Sequence, residues 1–207
     1  MGLKLEYLTF INSNIGKVFS STLGLKMLEL GDQVIKETEP IEQKTGKDYF
    51  SHLGYNHTSV DLNGDHGAIV KDLTKEEQFL EWYNYFDIVT NAGTTEHVEP
   101  YDKQYECYKI LHNVAKVGSV TIHLIPDVDE RDNKGIWWKH CHYYYSYDFF
   151  EMLAKECEYK ILDNVIINGL RSVAYVKTKD NSFMTDKDRF LSYIAQRNFT
   201  KEHFRPK

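Results

Sequence analysis

Residues 25–31 read LKMLELG, a largely apolar run that contains one acid, Glu29, and stops at Gly31. Leucine and methionine at this density are typical of a buried strand, and a terminal glycine permits a sharp turn. Further short apolar runs alternate with helix-like stretches along the rest of the chain, which is the βαβ pattern. We therefore expect an α/β fold whose first strand is residues 25–31.

Six more strands and four helices are predicted by the same criteria. The last two strands are separated by a short connection that suits an antiparallel hairpin. Seven strands of this kind describe an open, doubly wound, Rossmann-like sheet with one reversed edge strand. The predicted strands are 57–62, 68–73, 85–91, 119–125, 159–165 and 171–176, and the predicted helices are 45–53, 101–117, 146–157 and 185–194.

The length of 207 residues suits a single domain. Hydrophobic residues make up 42% of the chain and charged residues 27%, which is ordinary globular composition. We divide the domain into an N-terminal extension (1–23), a core (25–177) and a C-terminal helix and tail (183–207). Residues 127–139 are polar and aperiodic, and they are predicted to form a functional loop.

The chain carries 25 Lys and Arg against 31 Asp and Glu, a net charge of −6, so nucleic acid is disfavoured as a partner. No stretch of 18 apolar residues and no cleavage signal is found, so we expect neither a membrane span nor a signal peptide. Three cysteines without CxxC spacing argue against a disulfide framework or a zinc ribbon. A reducing cytoplasm fits these cysteines best, and a homodimer is left open.

Ligands of doubly wound sheets bind beyond the carboxyl ends of the central strands. The residues at those positions are Glu29, Gly31, Asp61, Asp72 and 91–97. An acid at the end of the second strand suits a ribose, because two carboxylate oxygens match a vicinal diol. The alternative for Asp61 is an aspartate that forms a turn.

At these positions the chain resembles the class I S-adenosylmethionine-dependent methyltransferases, over about residues 25–177. The acid-apolar-glycine ending of the first strand is LELG at 28–31, the ribose acid is Asp61, and the acid after the third strand is Asp72. The stretch FDIVTNAGTTEHV at 86–98 is similar to the ubiquinone-biosynthesis O-methyltransferases, which act on small molecules.

The resemblance implies S-adenosylmethionine as the cofactor. Glu29 would hold its ammonium group, directly or through water, and Gly31 would pass close to the methionine portion. Asp61 would bind the ribose, and Asp72 would lie near the adenine amino group. The implied cofactor-binding residues are Glu29, Gly31, Asp61, Asp72, Asn91 and Glu96.

The sequence departs from the family in the loop after the first strand. The family continues Gly-x-Gly-x-Gly, whereas Gln33 and Ile35 replace the second and third glycines here. Neither replacement gives the positive φ or the open space of a glycine. The cofactor then binds in an altered pose, binds weakly, or does not bind.

A general base is needed only if the methyl acceptor must lose a proton. The candidates are His97, His123 and His142, and the alternative for each is a structural histidine. The run WWKHCHYYY at 137–145 is predicted to wall the acceptor pocket, or else to form a lid or subunit interface. We expect no metal, because the His140-x-His142 pair lacks further ligands at metal-binding spacing.

Two functions follow from these observations. The first is methyl transfer from S-adenosylmethionine to a small molecule or biosynthetic intermediate. The second is a non-catalytic methyltransferase-like domain for binding or assembly, which the altered glycine loop favours. A nicotinamide oxidoreductase is disfavoured because no GxGxxG follows the first strand.

Overall fold

The computed structural model describes residues 2–197, which form strands and helices alternating along the chain. The strands are β1 Gly2–Leu3, β2 Lys26–Leu30, β3 Val34–Ile35, β4 Asn56–Asp61, β5 Ile69–Val70, β6 Phe86–Ala92, β7 Ala115–Pro126, β8 Tyr143–Tyr145, β9 Tyr159–Ile167, β10 Leu170–Lys177 and β11 Ile194–Gln196. The α-helices are α1 Leu5–Gly16, α2 Gly46–His52, α3 Lys103–Val114, α4 Val128–Asp132, α5 Phe149–Glu156 and α6 Lys187–Ser192.

The central sheet has seven strands in the order β5-β4-β2-β6-β7-β10-β9, so the predicted seven-stranded fold with its hairpin is confirmed. Strands β5, β4, β2, β6 and β7 are parallel, and β10 is antiparallel to both of its neighbours. The expectation of a reversed edge strand is wrong, because β10 lies between β7 and β9. Its largely buried sequence suits this interior position, whereas the partly exposed β9 forms the edge.

Both faces of the sheet are covered, as in a doubly wound fold. One face packs against α3 and α5 through a large apolar cluster. The other face packs against α1 and α2, where Tyr7, Leu8 and Phe50 are fully buried. Sequence analysis predicted no helix in the N-terminal segment, yet α1 lies on β7, β9 and β10 and closes that side of the core.

Several predicted boundaries differ from the structure. The helix predicted at 101–117 ends at Val114, since β7 begins at Ala115 and is longer than the predicted strand. The helix predicted to begin at Thr185 is capped instead by the Asp186 side chain. That helix ends early because Ile194 enters β11, which pairs with β8, and residues 198–207 lie outside the described residues.

The loop predicted at 127–139 contains the short helix α4, whose amino end is capped by Asp127. All three cysteines are buried and free. None of the helices within residues 2–197 has the length and apolar character of a membrane span.

Candidate functional site

A cleft of about 500 Å³ opens at the carboxyl ends of β2, β4 and β6. Its position is where doubly wound sheets bind ligands, and its volume suits a small molecule. Four residues singled out from the sequence line it: Gly31, Asp61, Asp72 and His97. The other lining residues are Asp32, Gln33, Val60, Leu62, Lys71, Leu73, Thr74, Gly93, Thr94, Val98 and Glu99.

Gly31 forms the floor of the cleft in a conformation that other residues avoid. Its φ is +83°, and its N–H donates to the Val60 carbonyl at 2.8 Å. A Cβ here would lie 2.6 Å from Thr94 Oγ1 and 2.7 Å from Gln33 Nε2, inside van der Waals contact. The first glycine of the expected loop is therefore required by both backbone and space.

The loop after Gly31 is rebuilt around Gln33. The buried Gln33 Nε2 lies 3.4 Å from the Leu30 carbonyl and 3.5 Å from Thr94 Oγ1, which are long hydrogen bonds. Its Oε1 has no hydrogen-bond partner in the described part of the chain. The chain then enters β3, which pairs with β1, and α2 begins only at Gly46.

Gly46 allows the backbone to approach the Glu29 carboxylate closely, which Gln33 and Ile35 do not. A Cβ on Gly46 would lie 2.3 Å from Glu29 Oε1, so only a glycine lets α2 approach the acid. Glu29 Oε2 lies 3.4 Å from His57 Nε2, and Glu29 is not among the residues that line the cleft. Burial raises the pKa of Glu29, against the lowering effect of His57. Sequence analysis missed Gly46, although the helix-capping Thr45 before it marks the helix start.

Asp61 both forms a turn and faces the cleft, so its two interpretations are compatible. Its Oδ2 accepts from the Asp32 N–H at 3.0 Å, and its Oδ1 accepts from the Asn63 N–H at 3.2 Å. These bonds fix the carboxylate at the end of β4. The next residue, Leu62, is 70% exposed and presents an apolar side chain to the cleft.

Asp72 is held in the cleft by its own loop. Its Oδ1 accepts from the Thr74 N–H at 2.9 Å and from the Thr74 hydroxyl at 2.7 Å. Burial raises the pKa of Asp72, but the Thr74 bonds and Lys75 outweigh it and the net pKa is lowered. The carboxylate is therefore ionised, and it caps the turn that follows.

Three histidines meet at the opposite wall of the cleft. The His97 ring packs edge-to-face with the rings of His140 and His142, at centroid distances of 5.2 Å and 6.2 Å. His142 Nδ1 lies 2.8 Å from Glu99 Oε1. Burial, with the nearby His140, lowers the pKa of His97 to about 4. His97 is therefore a neutral imidazole at neutral pH.

The turn that carries His97 is anchored by a buried network. Asn91 Nδ2 donates to Thr95 Oγ1 at 2.8 Å and lies 3.0 Å from His123 Nδ1. His123 Nε2 lies 3.1 Å from the Tyr175 hydroxyl, so both ring nitrogens have partners. Burial lowers the pKa of His123 to about 3. Neither Asn91 nor His123 lines the cleft, and both act as structural supports there.

Gln104 closes the same turn from α3. Its Nε2 donates to the Thr95 and Val98 carbonyls, both at 2.7 Å. Its Oε1 accepts from the Tyr145 hydroxyl at 2.7 Å. Sequence analysis missed this residue, since a glutamine within an amphipathic helix carries no local signal of such bonds.

Glu96 is fully buried, and neither carboxyl oxygen has a hydrogen-bond partner within residues 2–197. Burial raises the pKa of Glu96 to about 8, so the carboxyl is mainly protonated at neutral pH. Its carbonyl accepts from the His142 N–H at 3.1 Å, which joins this turn to the histidine segment. Glu96 is not among the residues that line the cleft.

The aromatic run 137–145 contributes less to the cleft than predicted. Tyr143–Tyr145 form β8 and are buried, mostly within the core. The Trp137 ring packs against the His140 ring at a centroid distance of 4.9 Å, and the Trp137 indole N–H donates to the Asn168 carbonyl. Within residues 2–197, no group of three or more His, Cys, Asp or Glu is arranged to hold a metal ion.

No protein-family model matches the chain, and no curated protein matches it. Solved structures do match, each at low sequence identity. A protein of Pyrococcus horikoshii has a TM-score of 0.57 and 14% identity, over 83% of this chain and 90% of that chain. A TehB-like SAM-dependent methyltransferase of Corynebacterium glutamicum has a TM-score of 0.52 and 13% identity, over 83% of this chain and 86% of that chain.

A third similar structure is the 1,6-didemethyltoxoflavin-N1-methyltransferase of Burkholderia thailandensis with bound 1,6-didemethyltoxoflavin and S-adenosylhomocysteine. Its TM-score is 0.51 at 12% identity, over 86% of this chain and 92% of that chain. These likenesses establish the fold, which is that of the class I S-adenosylmethionine-dependent methyltransferases. The narrower resemblance to ubiquinone-biosynthesis O-methyltransferases stays a prediction.

Proposed function

We propose that this protein binds S-adenosylmethionine in the cleft and transfers its methyl group to a small molecule. The observation that carries the proposal is the convergence of Gly31, in its left-handed turn, and the fixed Asp61 carboxylate on one cleft of a methyltransferase fold. The similar structures include two methyltransferases, one of them bound to S-adenosylhomocysteine and a small heterocycle.

The residues of the cleft fit the chemistry of this cofactor. Asp61 can accept both hydroxyls of a ribose, and Leu62 offers an apolar surface to an adenine face. The ionised Asp72 can accept a hydrogen bond from the adenine amino group. Gly31 leaves its backbone open to the methionine portion, as a Cβ would not. When bound, the cofactor supplies an electrophilic methyl carbon on a positively charged sulfur.

The residues of this chain would act chiefly by alignment, because the methyl group is already activated. His97 is the best placed of the three predicted bases, since it lines the cleft and is neutral. His142 lies behind it against Glu99, and His123 is enclosed by Asn91 and Tyr175. The predicted contact of Glu29 with the ammonium group stays a prediction, since its carboxylate lies by His57 and Gly46.

A non-catalytic binding domain is the second candidate. The observation in its favour is Gln33, whose side chain lies beside Gly31 where the family has a further glycine. In that case the cleft would bind no S-adenosyl ligand, whereas the His97 wall would still be available to a partner.

Calorimetric titration with S-adenosylhomocysteine tests the choice. We expect the native protein to bind S-adenosylhomocysteine. The Asp61→Ala variant should lose roughly 1.5–3 kcal/mol of the binding free energy, which is the range for hydrogen bonds to a charged group. Asp65→Ala is the matched control, because this exposed aspartate lies in the same loop outside the cleft lining. The absence of binding at millimolar ligand, or equal losses in both variants, would refute a cofactor site at Asp61.

A further inference from the structure

His66, in the loop between β4 and β5, has a backbone conformation that residues with a side chain seldom adopt. Its φ is +48°, in the left-handed region, and it lies between Gly64 at +73° and Gly67 at +78°. The two glycines adopt this region freely, whereas a histidine does so at a cost. Residues held in such conformations cluster at functional sites, so the contacts of the His66 side chain are of interest.

The His66 side chain reaches from its own loop to the loop that follows β2. Its Nδ1 donates to Asp32 Oδ2, and the Asp32 side chain is only 10% exposed. Next to it, Lys47 Nζ of α2 donates to the Gly67 carbonyl at 3.0 Å. We call these two contacts the clasp, because they tie the loop after β4 to residues that follow β2.

The clasp joins the two loops that hold the Asp61 carboxylate. Asp61 Oδ2 accepts from the Asp32 N–H, and Asp61 Oδ1 accepts from the Asn63 N–H. Asp32 therefore contacts Asp61 through its backbone and His66 through its side chain. A clasp between the loops restrains both donors that orient Asp61, whose carboxylate is the group proposed to bind the ribose.

We propose that His66 is a positioning residue of the cofactor site, which acts through Asp32 to hold the Asp61 carboxylate in place for the ribose. This inference rests on the proposed function, and it adds a residue that does not itself line the cleft. The His66 side chain is 51% exposed, so the contact contributes modestly to cofactor affinity.

The charges around His66 make the clasp depend on pH. Asp32 raises the pKa of His66, first through the hydrogen bond and then through its charge, and Asp65 and Asp48 raise it further. Lys47, bonded to the neighbouring Gly67 carbonyl, is the cation of this group. The ion pair with Asp32 is complete below about pH 6.5, and it is lost as the pH rises through the raised pKa of His66.

Three variants and two pH values test this role. His66→Asn removes the imidazole, and asparagine tolerates the left-handed region. His66→Lys keeps a cation that stays protonated beyond about pH 8.5. His52→Asn is the control, because this exposed histidine of α2 does not line the cleft. Each variant and the native protein are titrated calorimetrically with S-adenosylhomocysteine at about pH 6 and about pH 8.5.

The ratio of the variant and native dissociation constants is compared at the two pH values, so that titration of the ligand cancels. We expect His66→Asn to bind about threefold to fivefold more weakly than the native protein at pH 6, and within about twofold of it at pH 8.5. His66→Lys should match the native protein at pH 6 and keep that affinity at pH 8.5. His52→Asn should follow the native protein at both values.

Hydrogen exchange of the Asp32 amide, followed by NMR in the ligand-free protein, measures the clasp without any cofactor. This N–H is bonded to Asp61 Oδ2. We expect it to exchange at least about threefold faster in His66→Asn than in the native protein at pH 6, because the loops separate more often. The exchange rate in His52→Asn should equal the native rate.

The proposal is overturned if His66→Asn binds as tightly as the native protein at pH 6, or if His66→Lys does not restore the affinity. An equal loss at both pH values also overturns it, since that is the result of a merely structural role. If the native protein binds no S-adenosylhomocysteine, the cofactor site is refuted and the Asp32 exchange rate decides. Faster exchange in His66→Asn then retains the clasp on Asp61, and unchanged exchange overturns it too.

Discussion

The two walls of the cleft are built on different principles. The cofactor-side wall, residues 31–33, 61–62 and 72–74, is held by hydrogen bonds from backbone N–H groups to Asp61 and Asp72. Two of these bonds lie within one loop, and the third joins Asp32 to Asp61. The acceptor-side turn, residues 91–98, is held from beneath by a buried network that reaches α3, β7 and β8. Local bonds survive changes in a neighbouring loop, whereas a shared buried network does not.

This difference explains where the sequence departs from the family and where it does not. The rebuilt connection at 31–45 keeps Gly31 and recruits Gly46, so the wall persists without the remaining glycines. The acceptor-side turn has less freedom, because Asn91, Thr95 and Val98 are hydrogen-bonded to side chains of other elements. We therefore expect mutations in the two walls to have effects that differ in kind and in size.

The largest effect is expected from Gln104→Leu. The change removes three hydrogen bonds and leaves the Val98 carbonyl without a donor in the described part of the chain, at about 1–3 kcal/mol for such a group. The Thr95 carbonyl keeps the Val98 N–H, and the Tyr145 hydroxyl keeps Thr95 Oγ1. We expect a loss of about 3 kcal/mol or more in the free energy of unfolding, measured by urea denaturation. Gln43→Leu, in the connection before α2, should change it by less than about 1 kcal/mol. Similar losses in the two variants would contradict a network centred on Gln104.

A smaller effect is expected from pH, through His123. Burial lowers the pKa of His123 from 6.5 to about 3, so between these values only the unfolded chain binds the proton. The stabilisation is complete above pH 6.5 and is lost as the pH falls, at about 1.4 kcal/mol per pH unit.

Urea denaturation between pH 5 and pH 6.5, over which the change is about 2 kcal/mol, measures this dependence. His123→Gln should reduce the slope of stability against pH by the equivalent of about one proton. His52→Gln, on the exposed side of α2, should leave the slope nearly unchanged. An unaltered slope in His123→Gln would show that another group binds the proton.

The smallest effect is expected on the cofactor-side wall, from Gln33→Gly. The side chain has only long hydrogen bonds, and its removal opens space beside Gly31. We expect S-adenosylhomocysteine to bind about threefold to tenfold more tightly, with a loss of stability of about 0.5–1 kcal/mol from backbone entropy. Calorimetric titration of S-adenosylhomocysteine into this variant and into the control variant Gln43→Gly measures the change in affinity. Weaker binding in Gln33→Gly would mean that the Gln33 amide itself contacts the ligand.

The candidate site was predictable where a residue acts through its place at the end of a strand. Gly31, Asp61, Asp72 and His97 all reach the cleft, as the carboxyl-end rule predicts. Asn91 lies within β6, His123 lies within β7 and Glu96 follows β6, but all three are buried and do not line the cleft. Their positions along the chain do not reveal the partners that distant elements supply.

The sequence by itself determined the α/β pattern, the hairpin and the position of the cleft, because these follow from apolar periodicity and from where strands end. Only the tertiary structure decided that β10 lies inside the sheet, that Gly46 approaches Glu29, and that the Glu96 carboxyl has no hydrogen-bond partner within residues 2–197. Each of these depends on contacts between segments far apart in the chain. Local propensity carries no record of such contacts, since they form only when the core packs.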